Sequence, residues 1–215
     1  LKIFSSHITE TDSLRPKNFN KLENKFKIFL NHEKYFLESG LETFETLNSS
    51  PSDRYQYILP YYNLDWFIDQ NYFNGSFNLN SNGANDLNNT NKLETSIIND
   101  LNYFSNESYL KTGIKSNYSI NFKNLNSVGK NSSKYKSSPQ IEFVSLFNAE
   151  LSLPLIKKFE NYTNLLTPKL SFRFNPNDMK DYSNSNNKIN IDNIFSTNRL
   201  GLSDTYESGK SITLG

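Results

Sequence analysis

Along most of this chain, apolar and polar side chains alternate in runs of about nine to fifteen residues, separated by stretches of Asn, Ser, Asp and Lys. A period of two is the pitch of a β-strand, whose successive side chains point to opposite faces. In Thr112 to Asn124 one face carries Ile114, Tyr118, Ile120 and Phe122, and the other Lys115, Asn117, Ser119, Asn121 and Lys123. The pattern recurs in Ile141 to Leu155 and in Leu166 to Phe174, where Leu170, Phe172 and Phe174 oppose Lys169, Ser171 and Arg173. In Arg54 to Ile68 both parities carry aromatic residues. Weaker alternation marks Leu1 to Thr9, Tyr35 to Leu47, Phe73 to Leu79, Leu93 to Phe104 and Lys210 to Gly215, which brings the expectation to about nine strands.

One segment fits a second template. From Leu22 to Leu47, the residues Leu22, Phe26, Phe29, Leu30, Phe36, Leu37, Leu41, Phe44 and Leu47 also satisfy a helical spacing. Against a helix stand the strand formers Tyr35, Phe36, Thr43 and Phe44, the mid-run Gly40, and a turn-like Asn31-His32. Strand and helix both remain open here.

The connections are uneven. Lys157 to Thr163 reads as a short polar turn, whereas Asn175 to Gly209 is a tract of about thirty-five residues rich in Asn, Ser and Asp. Loops this long are uncommon in compact soluble domains. Short turns at one end and long loops at the other are the normal form of an outer-membrane barrel. Thirteen Tyr and seventeen Phe against one Met suit a sheet whose outer face meets lipid and whose rims meet head groups. A soluble β-sandwich would also alternate, so the pattern alone leaves that architecture open. No apolar run is long enough for a transmembrane helix. The first residue, Leu1, follows no signal-peptide pattern and the last two fall within a strand-like run, so the chain reads as a piece of a longer one.

Few chemical functions can be assembled. With 23 Lys+Arg against 22 Asp+Glu, the net charge of +1 gives no general attraction to nucleic acid. Without Cys there is no disulfide, thiolate metal site or thiol nucleophile in this chain. His7 and His32 lack carboxylates at ligand spacing, and Gly201-Leu202-Ser203-Asp204 lacks the second glycine of a nucleophile elbow. Asn82-Gly83-Ala84-Asn85-Asp86 lacks the acidic positions of a calcium loop and reads as a loop tip. The Lys-rich stretches Lys17 to Lys34 and Lys130 to Lys136 read as solvated loops. The expectation is a non-enzyme without metal or cofactor.

The last third of the chain carries a more specific signal. Leu165-Leu166-Thr167-Pro168-Lys169-Leu170 opens a strand that precedes the long tract, which ends in Ile191-Asp192-Asn193-Ile194-Phe195, Asn198-Arg199-Leu200-Gly201-Leu202-Ser203-Asp204 and a strand after Gly209. Upstream, Arg54 to Pro60 runs into a Leu-Pro, and Leu151-Ser152-Leu153-Pro154-Leu155 ends a strand in Pro-Leu. In this order the four pieces resemble the barrel of the LPS-assembly protein LptD family, over the chain from about Tyr35 onward.

The resemblance implies that residues 1–215 are an internal segment of a large antiparallel transmembrane β-barrel, a partial wall in the cell outer membrane. It implies translocation of lipopolysaccharide into the outer leaflet without bond chemistry. The implied partners are lipopolysaccharide, outer-membrane lipid, an LptE-like plug lipoprotein, and an LptA-like periplasmic bridge reached through a jellyroll domain that this segment lacks. The motif positions are Pro60, Pro154, Pro168, Asp192, Phe195, Asn198, Arg199, Gly201, Asp204 and Gly209. Proline removes a ladder donor, so the three prolines are expected at strand ends or bulges. Asp192, Asn198, Arg199, Gly201 and Asp204 are expected to fold the long loop over the barrel mouth as a lid. Lys115, Asn117, Lys123, Lys169 and Arg173 are the candidates to face the lumen. A porin or nutrient-receptor wall, with the long loop as a constriction, and a secreted β-sandwich binding module are the rival readings.

Overall fold

The computed structural model describes residues 20–47, 49–50, 54–68, 72–89, 91–178, 187–202 and 204–215. They form an all-β structure. The strands are β1 (Lys21–Asn31), β2 (Tyr35–Thr46), β3 (Tyr55–Ile68), β4 (Gly75–Asn88), β5 (Lys92–Ser105), β6 (Ser108–Tyr109), β7 (Lys115–Lys130), β8 (Gln140–Ser152), β9 (Leu155–Lys158), β10 (Thr163–Leu166), β11 (Lys169–Asn175) and β12 (Gly209–Leu214). A large antiparallel meander runs in the order β1-β2-β3-β4-β5-β7-β8-β11-β12, with β6 paired to β7 and a separate β9-β10 ribbon. Among the described residues the sheet is open, with β1 and β12 at its edges. The strand expected at Leu1 to Thr9 lies outside the described residues.

The chain divides into two compact units, the first comprising residues 1–65, 81–98 and 126–141 and the second 66–80, 99–125 and 142–215. In the first, the ambiguous segment from Leu22 to Leu47 is a strand hairpin and not a helix. β1 and β2 pair from Lys21↔Thr46 to Asn31↔Phe36, and His32 N donates to Tyr35 O at 2.9 Å across the turn. Alternation decides it: Phe26, Ile28 and Leu30 share one exposed face, while Lys27 on the other pairs with Glu38 at 2.8 Å and Glu42 at 3.0 Å. A helix would bury a stripe containing Phe26, Phe29 and Leu30 on one side of one element, and each of the three is instead at least half exposed. The solvated loop expected at Lys17 to Lys34 is, from Lys21 on, mostly this strand.

Two further expectations change in this unit. Asn82 to Asp86 is no loop tip but the interior of β4. Gly83 is there because β4 passes close to Tyr62, whose ring a Cβ at that position would approach to 2.5 Å. The alternation of β3 also inverts along its length. Gln56 donates to Asp86 at 3.1 and 3.2 Å, whereas the Tyr62 hydroxyl lies 3.0 Å from that of Ser81. Asp86 and Ser81 have opposite parity on β4, so Gln56 and Tyr62, both even, face opposite sides of β3. One extra residue is therefore accommodated between them, where Pro60 follows a cis peptide bond. Pro60 lies inside the strand, within the stretch from Gln56 to Tyr62 that holds the extra residue; Pro154 and Pro168 sit in breaks between strands.

In the second unit, the short polar turn expected at Lys157 to Thr163 is instead the tip of a long hairpin. β8 and β11 pair from Phe147↔Phe174 to Ser152↔Lys169, and after the two proline breaks the same register resumes as Leu155↔Leu166 to Lys158↔Thr163. Leu153 N donates to Pro168 O at 3.0 Å across the break.

Candidate functional site

The two faces of the second unit's sheet have the reverse of a water-soluble polarity. On β7 the buried parity is Ser119, Asn121, Lys123 and Leu125, and the opposite parity exposes Tyr118 and Phe122. On β8, Val144, Leu146 and Asn148 are buried, while Phe143 is 70% exposed. On β11, Ser171, Arg173 and Asn175 are buried and Leu170 and Phe172 are exposed. A stripe of rings crosses the apolar face from strand to strand: Phe77 on β4, Tyr103 on β5, Tyr118 on β7, Phe147 on β8 and Phe172 on β11, with successive centroids 4.9, 5.7, 6.4 and 6.3 Å apart. Tyr103 donates its hydroxyl to Phe73 O at 2.7 Å, and the rings from Phe77 to Phe122 line a groove of about 300 Å³.

The polar face is covered by the described residues of the long tract, 187–202 and 204–208, here called the strap. Its local folding follows from Asn chemistry. The Asn190 side-chain oxygen accepts from Asp192 N at 2.9 Å and Asn193 N at 3.2 Å, and Ser196 N and its hydroxyl donate to Asn193 O at 2.9 and 2.8 Å. Asn198 donates to Leu202 O at 2.7 Å and accepts from Leu202 N at 3.1 Å, closing a turn in which Gly201 takes φ +62. Buried Leu202, Asp204, Thr205 and Tyr206 follow.

Polar and apolar contacts seat the strap. Asn175 donates to Tyr206 O and Glu207 O, both at 3.1 Å. Tyr206 packs with Val144 and Leu146 as a buried apolar cluster, and Lys123 Nζ stands 5.4 Å from its ring centroid. Burial, with the Asp100 carboxylate adding to it, pushes the Tyr206 hydroxyl well above its ordinary value. Arg199, 6% exposed, forks onto Glu207 at 2.9 and 2.6 Å and reaches Ser211 Oγ at 3.1 Å. Arg173, 3% exposed, donates through Nη1 to Ser196 O at 2.7 Å and Thr197 O at 2.6 Å, and its buried Nη2 has no partner.

Five of the motif positions, Phe195, Asn198, Arg199, Gly201 and Asp204, thus come together in the strap, with Gly209 (φ +87) at its return into β12. Asp192 is exposed, and its backbone N serves the Asn190 turn. Among its described residues the strap runs along the sheet and not over its end as the expected lid. The long tract leaves at Asn175 and returns at the paired Gly209, yet Phe195 lies against Lys169 and Gly215, the pair at the far end of β11 and β12. Arg173 and Arg199 draw it down the length of the wall.

The lumen candidates share the face that the strap covers. Lys123 and Arg173 are buried, with Lys123 on Asp100 at 2.7 and 2.8 Å. Lys115, Asn117 and Lys169 are half-buried, Lys115 pairing with Glu107 at 2.7 Å and Lys169 with Glu150 at 3.4 Å. Sequence reasoning missed Tyr206, Glu207 and Asp100; a neutral aromatic and two carboxylates in polar stretches carry no signal until the strap places them. Pro60, Pro154 and Pro168 take no part in this arrangement. Among the described residues no three His, Asp or Glu side chains gather as metal ligands, and no helix is long and apolar enough to cross a membrane.

No family model and no curated protein matches this chain.

Proposed function

We propose that this chain is wall from a transmembrane β-barrel, its apolar face turned to lipid and its strap-covered polar face turned to the lumen. The observation that carries the reading is the inverted polarity of β7 over residues 118–123 and of β11, which bury Asn121, Lys123, Ser171 and Arg173 while exposing Tyr118, Phe122 and Phe172. Water favours the opposite arrangement, and a bilayer around a wet interior favours this one. The ring stripe from Phe77 to Phe172 suits an interfacial girdle. Among such barrels the ordered motifs ending in Asn198-Arg199 and Asp204 favour an LptD-like wall in the outer membrane, passing lipopolysaccharide from a periplasmic bridge to the outer leaflet beside a plug lipoprotein.

Because the chain lacks Cys, single cysteines can be placed along β8 and labelled without background. In the membrane-inserted protein, labels from residue 143 to 148 are expected to alternate between lipid and aqueous environments; uniform water exposure would reject a membrane wall. Photocrosslinkers at the half-buried Lys115 and Asn117 should then capture lipopolysaccharide in cells, and capture of nothing but solute in transit would move the assignment to a porin or nutrient receptor. The strap pressed along the wall is the specific observation favouring that second reading, since a constriction loop would lie in the same way.

A further inference from the structure

The β9-β10 ribbon exposes four large apolar side chains within its eight residues. Leu155 and Leu166 form one cross-strand pair and Ile156 and Leu165 the next, so the two pairs face opposite sides. They are 46%, 64%, 64% and 66% exposed respectively. Among the described residues the ribbon pairs with no other strand, and every one of its eight residues is exposed. A two-stranded ribbon of this kind is marginal in water, and its cover must surround it. A protein groove covers one face or one edge; lipid covers all sides.

The order of side chains outward from the sheet points to the same cover. Leu155 and Leu166 continue the exposed parity of β8 and β11, and Ile156 and Leu165 the opposite one; then come Lys157 and Lys158 opposite Asn164 and Thr163, then Phe159 and Tyr162, stacked with centroids 4.6 Å apart. Lys157 Nζ lies 4.9 Å from the Phe159 centroid. Two residues beyond the quartet add about 7 Å, which is close to the depth of one head-group layer. Apolar, cationic and amphipathic aromatic groups stacked over that distance match the profile of a membrane interface.

We propose that the β9-β10 hairpin is an interfacial anchor that inserts its Leu/Ile quartet at the edge of the hydrocarbon and sets Lys157 and Lys158 against anionic phospholipid head groups. This rests on the reading that the sheet's apolar face meets lipid, and the test separates the two. Nitroxides at Ile156→Cys and Leu166→Cys, on opposite faces, and at Phe143→Cys on the sheet, are read in the full chain reconstituted in phosphatidylethanolamine/phosphatidylglycerol vesicles. Both hairpin labels are expected to collide with oxygen in preference to a water-soluble nickel chelate. Lys157→Gln with Lys158→Gln is expected to lower that preference with phosphatidylglycerol present and leave it unchanged in phosphatidylcholine alone. A hairpin label open to the chelate, or shielded from both reagents as under a protein cover, overturns the anchor while a lipid-exposed label at 143 leaves the barrel standing. Chelate access at 143 overturns both.

Discussion

Arg173 is a guanidinium held by two carbonyls and no carboxylate, because Glu207 is taken by Arg199. Hydrogen bonds from a charged donor to groups out of water contribute about 1.5–3 kcal/mol each, most of it felt when one partner is removed. Arg173→Ala should therefore free the strap around Ser196 and Thr197, seen as faster amide exchange there by at least tenfold, with exchange in β8 unchanged. Tyr206 supplies a pH dependence. Its hydroxyl is pushed above the ordinary value of 10.0, so its contribution to docking is complete below about pH 10 and is lost as pH rises toward the folded value. Asp100 works in that direction, and Arg173 opposes it. Strap protection should fall on that alkaline limb in the parent and not in Tyr206→Phe, once the loss common to both is subtracted. At this scale the polar parity of Lys123 and Arg173 was legible from alternation, whereas their partners were not: Asp100 and Tyr206 meet Lys123 only through strand pairing and strap docking.

At the scale of elements, legibility followed the clarity of the alternation. β7, β8 and β11 are clean period-two runs, and the sequence located β8 and β11 to within three residues but ended β7 at Asn124, six residues early. β1 was obscured because Phe26, Phe29 and Leu30 fall at helical as well as strand spacings, and only pairing with β2 separates the two. The β9-β10 ribbon was hidden by Pro154 and Pro168, which interrupt the ladder without changing its register. The strap has no periodicity at all, and its shape comes from Asn side chains closing turns over Gly201. A β-branched side chain is costly at positive φ, by about 1–2 kcal/mol, so Gly201→Val should destabilise the strap by that amount. The expected sign is greater proteolysis between Asn198 and Tyr206 in the variant, with the sheet fragments remaining intact.

For the whole molecule, an open sheet with β1 and β12 as raw edges needs closure or cover. Folding of this chain in detergent or vesicles should accordingly improve when a strand peptide is supplied to pair with β1 or β12, and an equally stable monomer in plain buffer would argue for a soluble sheet. If the strap governs passage, Arg199→Ala combined with Asp204→Ala in the full-length protein should raise outer-membrane permeability to large antibiotics while the assembled barrel still fractionates with the membrane. Unchanged permeability would reduce the strap to a structural filler.

The inversion between Gln56 and Tyr62 alters how β3 should be read. On one side of it Tyr55, Tyr57 and Leu59 share a face, and on the other side Tyr62, Leu64 and Trp66 do; with one residue interposed these are the same face. What looks in the sequence like aromatic residues split between two faces is a phase slip that gathers Tyr55, Tyr57, Tyr62 and Trp66 on one of them. The chain is in effect spliced from two half-strands with a single residue between them: deleting that residue would restore unbroken alternation and leave every remaining side chain on its present face.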